Sequence, residues 1–168
     1  MKISKAWAMP NRWTFSIPPI KELIERYCHD EQDWIDPFCG ESTYAICRND
    51  LNPDVEGFIN IDALEFLTLQ KDLYDGAFYD PPYSMRQASE CYKKFGKENL
   101  TATVTSMKYW ADVKNVMGTL IKPNGLVICC GWNSNGLGNN RGFEMIEILL
   151  VAHGGSRNDT IVTVERKL

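Results

Sequence analysis

The chain has 168 residues, a net charge of −4 and 44% hydrophobic residues. This composition is typical of a globular domain, and it excludes a disordered or fibrous protein. A chain of this length can bury a core without disulfides or metals. The acidic balance excludes a surface that attracts polyanions everywhere, so nucleic acid would need a local basic patch.

The cysteines and the N-terminus bear on the cellular compartment. Six cysteines occur without a C-x-x-C pair, at positions 28, 39, 47, 91, 129 and 130. We interpret them as reduced thiols and expect no metal site. MKISKAWAMPNRW lacks the apolar stretch of a signal peptide, and no run reaches the roughly 20 apolar residues of a membrane helix. A cytoplasmic protein without membrane contact is expected.

The first half of the chain alternates between predicted helices and strands. Ile20, Leu23, Ile24 and Tyr27 have helical spacing after two prolines that suit a helix start. The elements predicted before residue 80 are a helix from Pro18 or Pro19 to about His29, a very short buried strand within 33–40, a strand within 44–50, a strand at 57–61, a helix at about 62–72 and a strand at 74–79.

The second half is predicted to contain two helices followed by three strands. The predicted elements are helices at about 86–96 and 105–121, a Pro-Asn-Gly turn in IKPNG (121–125), a strand at 126–132, a long exposed loop at 133–142, and a hairpin of 143–153 and 160–167. The pattern predicts one α/β domain over residues 1–168, with a mostly parallel sheet that ends in an antiparallel pair.

Polar clusters begin where four predicted strands end, in the segments DPFCGES, ND, ID and DPPYS. Open α/β sheets bind ligands outside the carboxyl ends of their strands, so these clusters are expected to meet along one edge. Gly40 would let backbone approach a ligand closely. Asp50 suits ribose hydroxyls or a simple turn. Asp62 suits a helix N-cap, unless its side chain is turned toward a ligand.

The least ordinary cluster is DPPY, formed by Asp80, Pro81, Pro82 and Tyr83. Consecutive prolines fix the local φ angles and remove two amide donors, which leaves a rigid row of acceptors. Asp80 and the Pro81 carbonyl can accept the two hydrogens of a planar exocyclic amine, while the Tyr83 ring offers a flat face to a base. The alternative is a Pro-Pro turn beside a core tyrosine.

These segments resemble the S-adenosylmethionine-dependent amino-methyltransferases, and especially small phage-type adenine-specific DNA methylases. The resemblance covers nearly the whole chain, from TFSIPPIKELI through DPFCG, NDLNPD, DALEFL and DPPYS to GWNSNG and NDTIVTVERK. It implies a Rossmann-like class I methyltransferase sheet, S-adenosylmethionine as cofactor, S-adenosylhomocysteine as product and duplex DNA as partner. A phage origin would place the protein in the host cytoplasm.

The resemblance also implies roles for individual residues. The DPPY segment becomes the catalytic motif, with Asp80, Pro81, Pro82 and Tyr83 at the target base. The residues implied to bind the cofactor are Trp13, Thr14, Phe15, Asp36, Phe38, Cys39, Gly40, Asp50, Asp62, Ala63 and Asp80.

DNA would require a basic surface near DPPY despite the acidic total. Arg86 lies three residues from Tyr83, a lysine cluster follows at 93–97, and Arg141 lies in the Gly/Asn loop. A solvated helix face explains the lysines about equally well, and Trp110 is expected in the core or its cover. The predicted substrate-binding residues are Tyr83, Ser84, Arg86, Trp132, Asn133 and Arg141.

The chain departs from the family pattern in two ways. Ser42 stands at the second glycine of the family's F-x-G-x-G loop, and only Ser42 and Thr43 separate Glu41 from the second predicted strand. The helix that follows this loop is therefore expected to be absent or one turn long. A separate target-recognition domain is also absent, so a homodimer or an accessory specificity subunit would supply the missing DNA surface.

Three functions fit these observations. The first is methylation of the adenine amine in DNA by direct displacement on a flipped-out base; adenine is favoured because, within the family, Asp at the first position of DPPY accompanies adenine. The second is methylation of RNA or another amine. The third is a cofactor-binding subunit that is active only with a partner.

Overall fold

One mixed sheet organises the chain, and the computed structural model describes residues 1–55 and 59–168. Its strands are β1 (Lys2–Trp7), β2 (Trp34–Asp36), β3 (Cys47–Arg48), β4 (Tyr74–Tyr79), β5 (Ile121–Gly131), β6 (Phe143–Ala152) and β7 (Thr160–Lys167). The α-helices are α1 (Pro18–Tyr27), α2 (Ala63–Leu69), α3 (Met85–Lys94), α4 (Thr101–Val104) and α5 (Met107–Thr119).

The strand order is β1-β6-β7-β5-β4-β2-β3. The pairs β2–β3, β2–β4, β4–β5 and β1–β6 are parallel, whereas β7 runs antiparallel to β5 and β6. The predicted mostly parallel sheet with a C-terminal antiparallel hairpin is confirmed. Because β2, β3, β4 and β5 are parallel, their carboxyl ends meet at one edge of the sheet.

Both faces of the sheet are apolar, and different segments cover them. In β4, Ala77 faces a core completed by α2, α3 and α5, while Phe78 faces a core completed by α1. This alternation is the side-chain period of a strand. The first helix packs Ile20, Leu23 and Ile24 onto the second face, where all three are fully buried.

The segment between β2 and β3 contains no helix, as the short loop predicts. Its place on the sheet is taken by other side chains. Phe15 packs against Phe78 with ring centroids 5.1 Å apart, and Tyr44 approaches the same ring at 6.2 Å. The sheet is therefore covered here by α1, the chain before it and the β2–β3 loop.

Several predicted elements differ from the structure in extent. The strand predicted within 44–50 is only two residues long, and α2 ends at Leu69 rather than near residue 72. The strand predicted at 57–61 lies partly outside the described residues; Ile59 forms a parallel bridge with Asn49. Strand β1 and helix α4 have no counterpart among the predictions.

One prediction about a turn is wrong, and one about a loop holds only in part. The segment IKPNG does not separate a helix from a strand but belongs to β5, where the pairing shifts from Tyr74↔Ile121 to Gly76↔Leu126. Asn124 accommodates this irregularity with a φ of +66°. The loop at 133–142 is not exposed throughout, because Leu137 is 1% exposed and joins the core.

The described residues also limit the kinds of site present. All six cysteines have free thiols. Within residues 1–55 and 59–168, no group of three or more His, Cys, Asp or Glu side chains is arranged to hold a metal ion. In the same residues, no helix is long and apolar enough to cross a membrane.

Candidate active site

Three aspartates lie where neighbouring parallel strands end. Asp36 closes β2, Asp50 follows β3 by two residues, and Asp80 follows β4 directly. Asp36 is fully buried, and its pKa is raised by burial and by the negative charges of Asp80 and Asp50. Its Oδ1 accepts a hydrogen bond from the Phe38 amide at 2.9 Å, whereas Oδ2 has no partner among the described residues. This acidic edge favours a cationic ligand.

Asp80 is held by a short chain of hydroxyl groups. The Tyr83 hydroxyl donates to Asp80 Oδ1 at 2.6 Å and lies 3.3 Å from the Thr14 hydroxyl. Burial raises the pKa of Asp80 to about 6, although the hydrogen bonds from Tyr83 and Thr14 oppose this rise. Asp80 is therefore a carboxylate at neutral pH, but its charge is costly where it lies.

Two joined clefts lie against the acidic edge. The first cleft, of about 340 Å³, is lined by Asp50, Ile61, Ala63, Tyr92 and the whole DPPY segment. The second cleft, of about 540 Å³, is lined by residues of the N-terminal segment and the β2–β3 loop. Both are lined by Thr14, Phe38, Asp50 and Asp80, so they form one continuous groove.

A third cleft, of about 580 Å³, borders the same DPPY segment. Pro81, Pro82 and Tyr83 line both the first and the third cleft. Tyr83 meets the Trp132 ring edge-on there, with centroids 5.8 Å apart. The rigid Pro-Pro segment is thus shared by the acidic groove and an aromatic cleft.

Gly40 fixes the shape of the second cleft. It has a φ of +52°, and its amide donates to Asp50 Oδ2 at 2.8 Å. A Cβ at this position would lie 2.7 Å from Cζ3 of Trp13. The absent side chain therefore lets the Trp13 ring lie directly on the loop and close the cleft from the N-terminal side.

The chain is similar to known proteins in its structure. No protein-family model and no curated protein sequence matches the chain. The N-methyltransferase NodS from Bradyrhizobium japonicum WM9, in complex with S-adenosyl-L-homocysteine, matches it with a TM-score of 0.61 at 9% identity, over 94% of this chain and 88% of NodS.

The 1,6-didemethyltoxoflavin-N1-methyltransferase from Burkholderia thailandensis matches with a TM-score of 0.57 at 12% identity, over 81% of this chain and 71% of that one. The chain has a methyltransferase fold. TrmN from Thermus thermophilus matches with a TM-score of 0.60 at 16% identity, over 90% of this chain and 49% of TrmN. The present chain therefore spans about half the length of TrmN.

Within this methyltransferase fold, most residues predicted to bind the cofactor line the groove. Thr14, Phe38, Asp50, Ala63 and Asp80 line the first cleft, and Trp13, Phe15, Cys39 and Gly40 line the second. Asp36 and Asp62 line neither cleft. Tyr92 and Ile61, which also line the first cleft, were not predicted, because in the sequence each occupies an ordinary apolar position.

The Asp62 side chain is fully engaged inside the protein. Its Oδ1 caps α2 by accepting from the amides of Leu64 and Glu65, and its Oδ2 accepts from the hydroxyls of Tyr92 and Tyr109 at 2.6 and 2.7 Å. The N-cap interpretation is confirmed. The side chain is turned toward α3 and α5, so the neighbouring Ile61 and Ala63 form this part of the cleft wall.

The predicted substrate residues divide into two groups. Tyr83, Ser84, Trp132, Asn133 and Arg141 line the third cleft, and the Ser84 hydroxyl also caps α3 by accepting from the Gln87 amide. The structure does not bring Arg86 to any of the three clefts, because its side chain is 87% exposed and pairs with Glu90 one helical turn away.

The expectation that Trp110 lies in the core or its cover is confirmed, because it packs against the core. Trp110 and Lys114, neither of which was predicted to bind substrate, also line the third cleft. These two residues are four positions apart on α5 and therefore share one helix face. That spacing was the available signal.

The raised pKa of Asp80 predicts a pH-dependent gain in stability on replacement by asparagine. Between pH 4 and 6 the folded chain binds more protons at Asp80 than the unfolded chain, so the free energy of unfolding falls as pH rises through this window. We expect Asp80→Asn to be more stable than wild type at pH 7 by about 1–2 kcal/mol and equally stable at pH 4. Urea denaturation at both pH values measures this, and an equal difference at both would contradict it.

Proposed function

We propose that this chain transfers the methyl group of S-adenosylmethionine to the exocyclic amine of adenine in DNA. The observation that supports this best is the position of DPPY. Asp80 lines the acidic groove, while Pro81, Pro82 and Tyr83 line both that groove and an aromatic cleft. DPPY therefore lies where a donor in the groove and a flat acceptor in the cleft would meet.

The groove has the chemistry that this cofactor requires. Asp50 retains acceptor capacity for ribose hydroxyls beyond its bonds to the Gly40 and Asn52 amides. The carboxylate of Asp80, which lines both clefts of the groove, suits the positive charge of the sulfonium group. S-adenosylhomocysteine occupies the related structures of NodS and the toxoflavin methyltransferase. When bound, the cofactor supplies an electrophilic methyl group on sulfur.

Asp80 and the Pro81 carbonyl would act on the acceptor amine. An aromatic amine is a weak nucleophile, because its lone pair is delocalised into the ring. Accepting both of its hydrogens directs the nitrogen toward the groove and stabilises the positive charge that develops as the N–C bond forms and the S–C bond breaks. The amine proton then leaves to solvent, so Asp80 acts by electrostatic preorganisation rather than as a strong base.

The third cleft would receive the target base. Tyr83 and Trp132 provide ring surfaces at its wall, and stacking on aromatic side chains stabilises unpaired bases. A base inside duplex DNA has to be extruded before it can enter. The preference for adenine rests on the resemblance of DPPY to adenine-specific enzymes.

The pH dependence of transfer tests the role of the hydroxyl chain. Because only the carboxylate form of Asp80 accepts the amine, we expect the rate to rise with pH through about 6. Tyr83→Phe keeps the ring but removes a hydrogen bond that lowers the pKa of Asp80. The acidic limb of its pH–rate profile should therefore move to higher pH. A limb that stays in place or moves to lower pH would contradict this role.

Transfer of labelled methyl groups from S-adenosylmethionine tests the function itself. Duplex DNA, single-stranded DNA and RNA of the same sequence serve as acceptors. The proposal predicts label in DNA. Preferential labelling of RNA would favour an RNA methyltransferase. Cofactor binding without transfer to any acceptor would favour a subunit that needs a partner.

A further inference from the structure

The third cleft differs in charge from the rest of this acidic protein. Of the residues within 1–55 and 59–168 that line it, the charged ones are Lys114 and Arg141, and none is acidic. The charged residues that line the first cleft are instead Arg12, Asp50 and Asp80, so two of these three are acidic. The third cleft, which would receive the acceptor base, is therefore lined by two cations, aromatic rings and asparagine amides.

Lys114 is half-buried in this cleft and has no carboxylate contact within the described residues. Its Nζ donates to the Gly136 carbonyl and lies 5.1 Å from the centroid of the Tyr79 ring. An ammonium group has three donor hydrogens, so this arrangement leaves donors for a ligand. Burial lowers the pKa of Lys114, and the positive charge of Arg141 lowers it further, while Cys129 and Glu165 oppose the shift. An anion bound beside Lys114 would raise its pKa.

Arg141 is positioned by α5 and by its own loop. Its Nε donates to Asn115 Oδ1 at 2.7 Å, and its Nη1 donates to the Leu137 carbonyl at 2.7 Å. These bonds hold the guanidinium plane while its Nη2 hydrogens have no partner within the described residues. A held guanidinium with free hydrogens is well suited to a phosphate oxygen.

The loop that carries these contacts is itself anchored. Glu165 of β7 is buried, and its carboxylate accepts from the amides of Leu137 and Gly138. A Cβ on Gly136 would clash with the Glu165 carboxylate, so the loop backbone sits directly on this carboxylate. The Gly136 and Leu137 carbonyls that accept from Lys114 and Arg141 therefore belong to an anchored loop.

We propose that Lys114 and Arg141 form a phosphate subsite beside the base pocket. The inference rests on the proposed function and adds to it the residues that contact the phosphate. The acceptor nucleotide is then recognised through its phosphate as well as through its base. The cleft is lined by aromatic rings and by two cations, which suit the two parts of a nucleotide, its base and its phosphate.

Salt-dependent binding of a labelled single-stranded octanucleotide with one central adenine tests the subsite. Fluorescence anisotropy with saturating S-adenosylhomocysteine, from 25 to 200 mM NaCl, measures affinity without any transfer step. We expect Lys114→Gln and Arg141→Gln each to weaken binding about fivefold to tenfold at low salt, and to reduce the slope of log K against log salt by about 0.7.

Two further variants serve as controls. Lys108→Gln removes a lysine from the same helix that is 82% exposed and paired with Asp112, and it should leave affinity and slope unchanged. Lys114→Arg retains the charge and should retain the slope. Thermal unfolding of each variant checks that the fold is intact. Unchanged slopes in both glutamine variants, an equal loss in Lys108→Gln, or no binding by wild type would overturn the subsite.

Competition by small ligands against the octanucleotide shows whether the subsite binds the phosphate of a mononucleotide or a phosphodiester within a strand. AMP should displace the octanucleotide about tenfold better than adenosine from wild type, and equally well from Lys114→Gln. A dinucleotide that exceeds AMP indicates recognition of a phosphodiester within a strand. Adenosine competing as well as AMP would overturn the proposal. Failure of methyl transfer with intact salt slopes would reject the proposed function alone.

Discussion

Asp80→Asn is expected to slow methyl transfer by about 10²–10³-fold while the chain still binds S-adenosylhomocysteine within a factor of about three of wild type. The asparagine amide has the same shape and can still accept a hydrogen bond from Tyr83 at its oxygen. It loses the negative charge and places an NH₂ donor where the amine of the base requires an acceptor. The loss therefore falls on the transition state rather than on cofactor binding.

Asp75→Asn is the matched control for this variant. Asp75 belongs to β4, the strand that Asp80 follows, but its carboxylate pairs with Lys122 at 2.8 Å and accepts from the Asp33 amide, away from the clefts. Single-turnover transfer and calorimetric titration of both variants separate chemistry from binding. Transfer by Asp80→Asn at a rate near that of Asp75→Asn would contradict the role given to Asp80.

Gly40→Ala is expected to weaken S-adenosylhomocysteine binding at least about tenfold and to lower the free energy of unfolding by about 1–2 kcal/mol. The substitution has two costs. A methyl group would meet the Trp13 ring at 2.7 Å, which displaces the wall of the second cleft. An L-residue is also strained at a φ of +52°.

Gly155→Ala separates these two costs. Gly155 has a φ of +61°, and a Cβ there meets nothing within 4 Å. We expect this variant to lose stability through backbone strain alone and to bind the cofactor product as wild type does. Isothermal titration with S-adenosylhomocysteine compares the two alanine variants. Wild-type affinity in Gly40→Ala would show that Trp13 does not shape the cofactor site.

The parts of the fold that could be predicted from sequence are those with a strong local pattern. The apolar spacing of Ile20, Leu23 and Ile24 after two prolines gave α1 with its correct buried face. The clusters after β2, β3 and β4 indicated one binding edge, since parallel strands place their carboxyl ends together. The short β2–β3 loop indicated that a helix is absent there.

The parts that could not be predicted depend on distant partners. Strand β1 shows only a weak alternation of apolar and polar residues, because it lies at the sheet edge with Lys2 and Lys5 exposed. It pairs with a strand segment that starts at Glu147, far along the chain. The turn residues of IKPNG were absorbed into β5 because β4 pairs on both sides of the irregularity. In both cases long-range pairing decided the local structure.

Proximity in sequence was a poor guide to the acceptor side of the site. Arg86 is close to Tyr83 along the chain, yet α3 directs it to solvent and to Glu90. Lys114 is more than thirty residues from DPPY, yet α5 brings it into the third cleft. Whether a side chain reaches the third cleft therefore depends on the helix face that carries it, and not on its distance from DPPY along the chain.

Nucleoside mass spectrometry of duplex DNA incubated with the chain and S-adenosylmethionine identifies the methylated base itself. We expect N6-methyladenine with wild type and almost none with Asp80→Asn. Methylation of cytosine instead of adenine, or equal N6-methyladenine from both chains, would contradict this expectation.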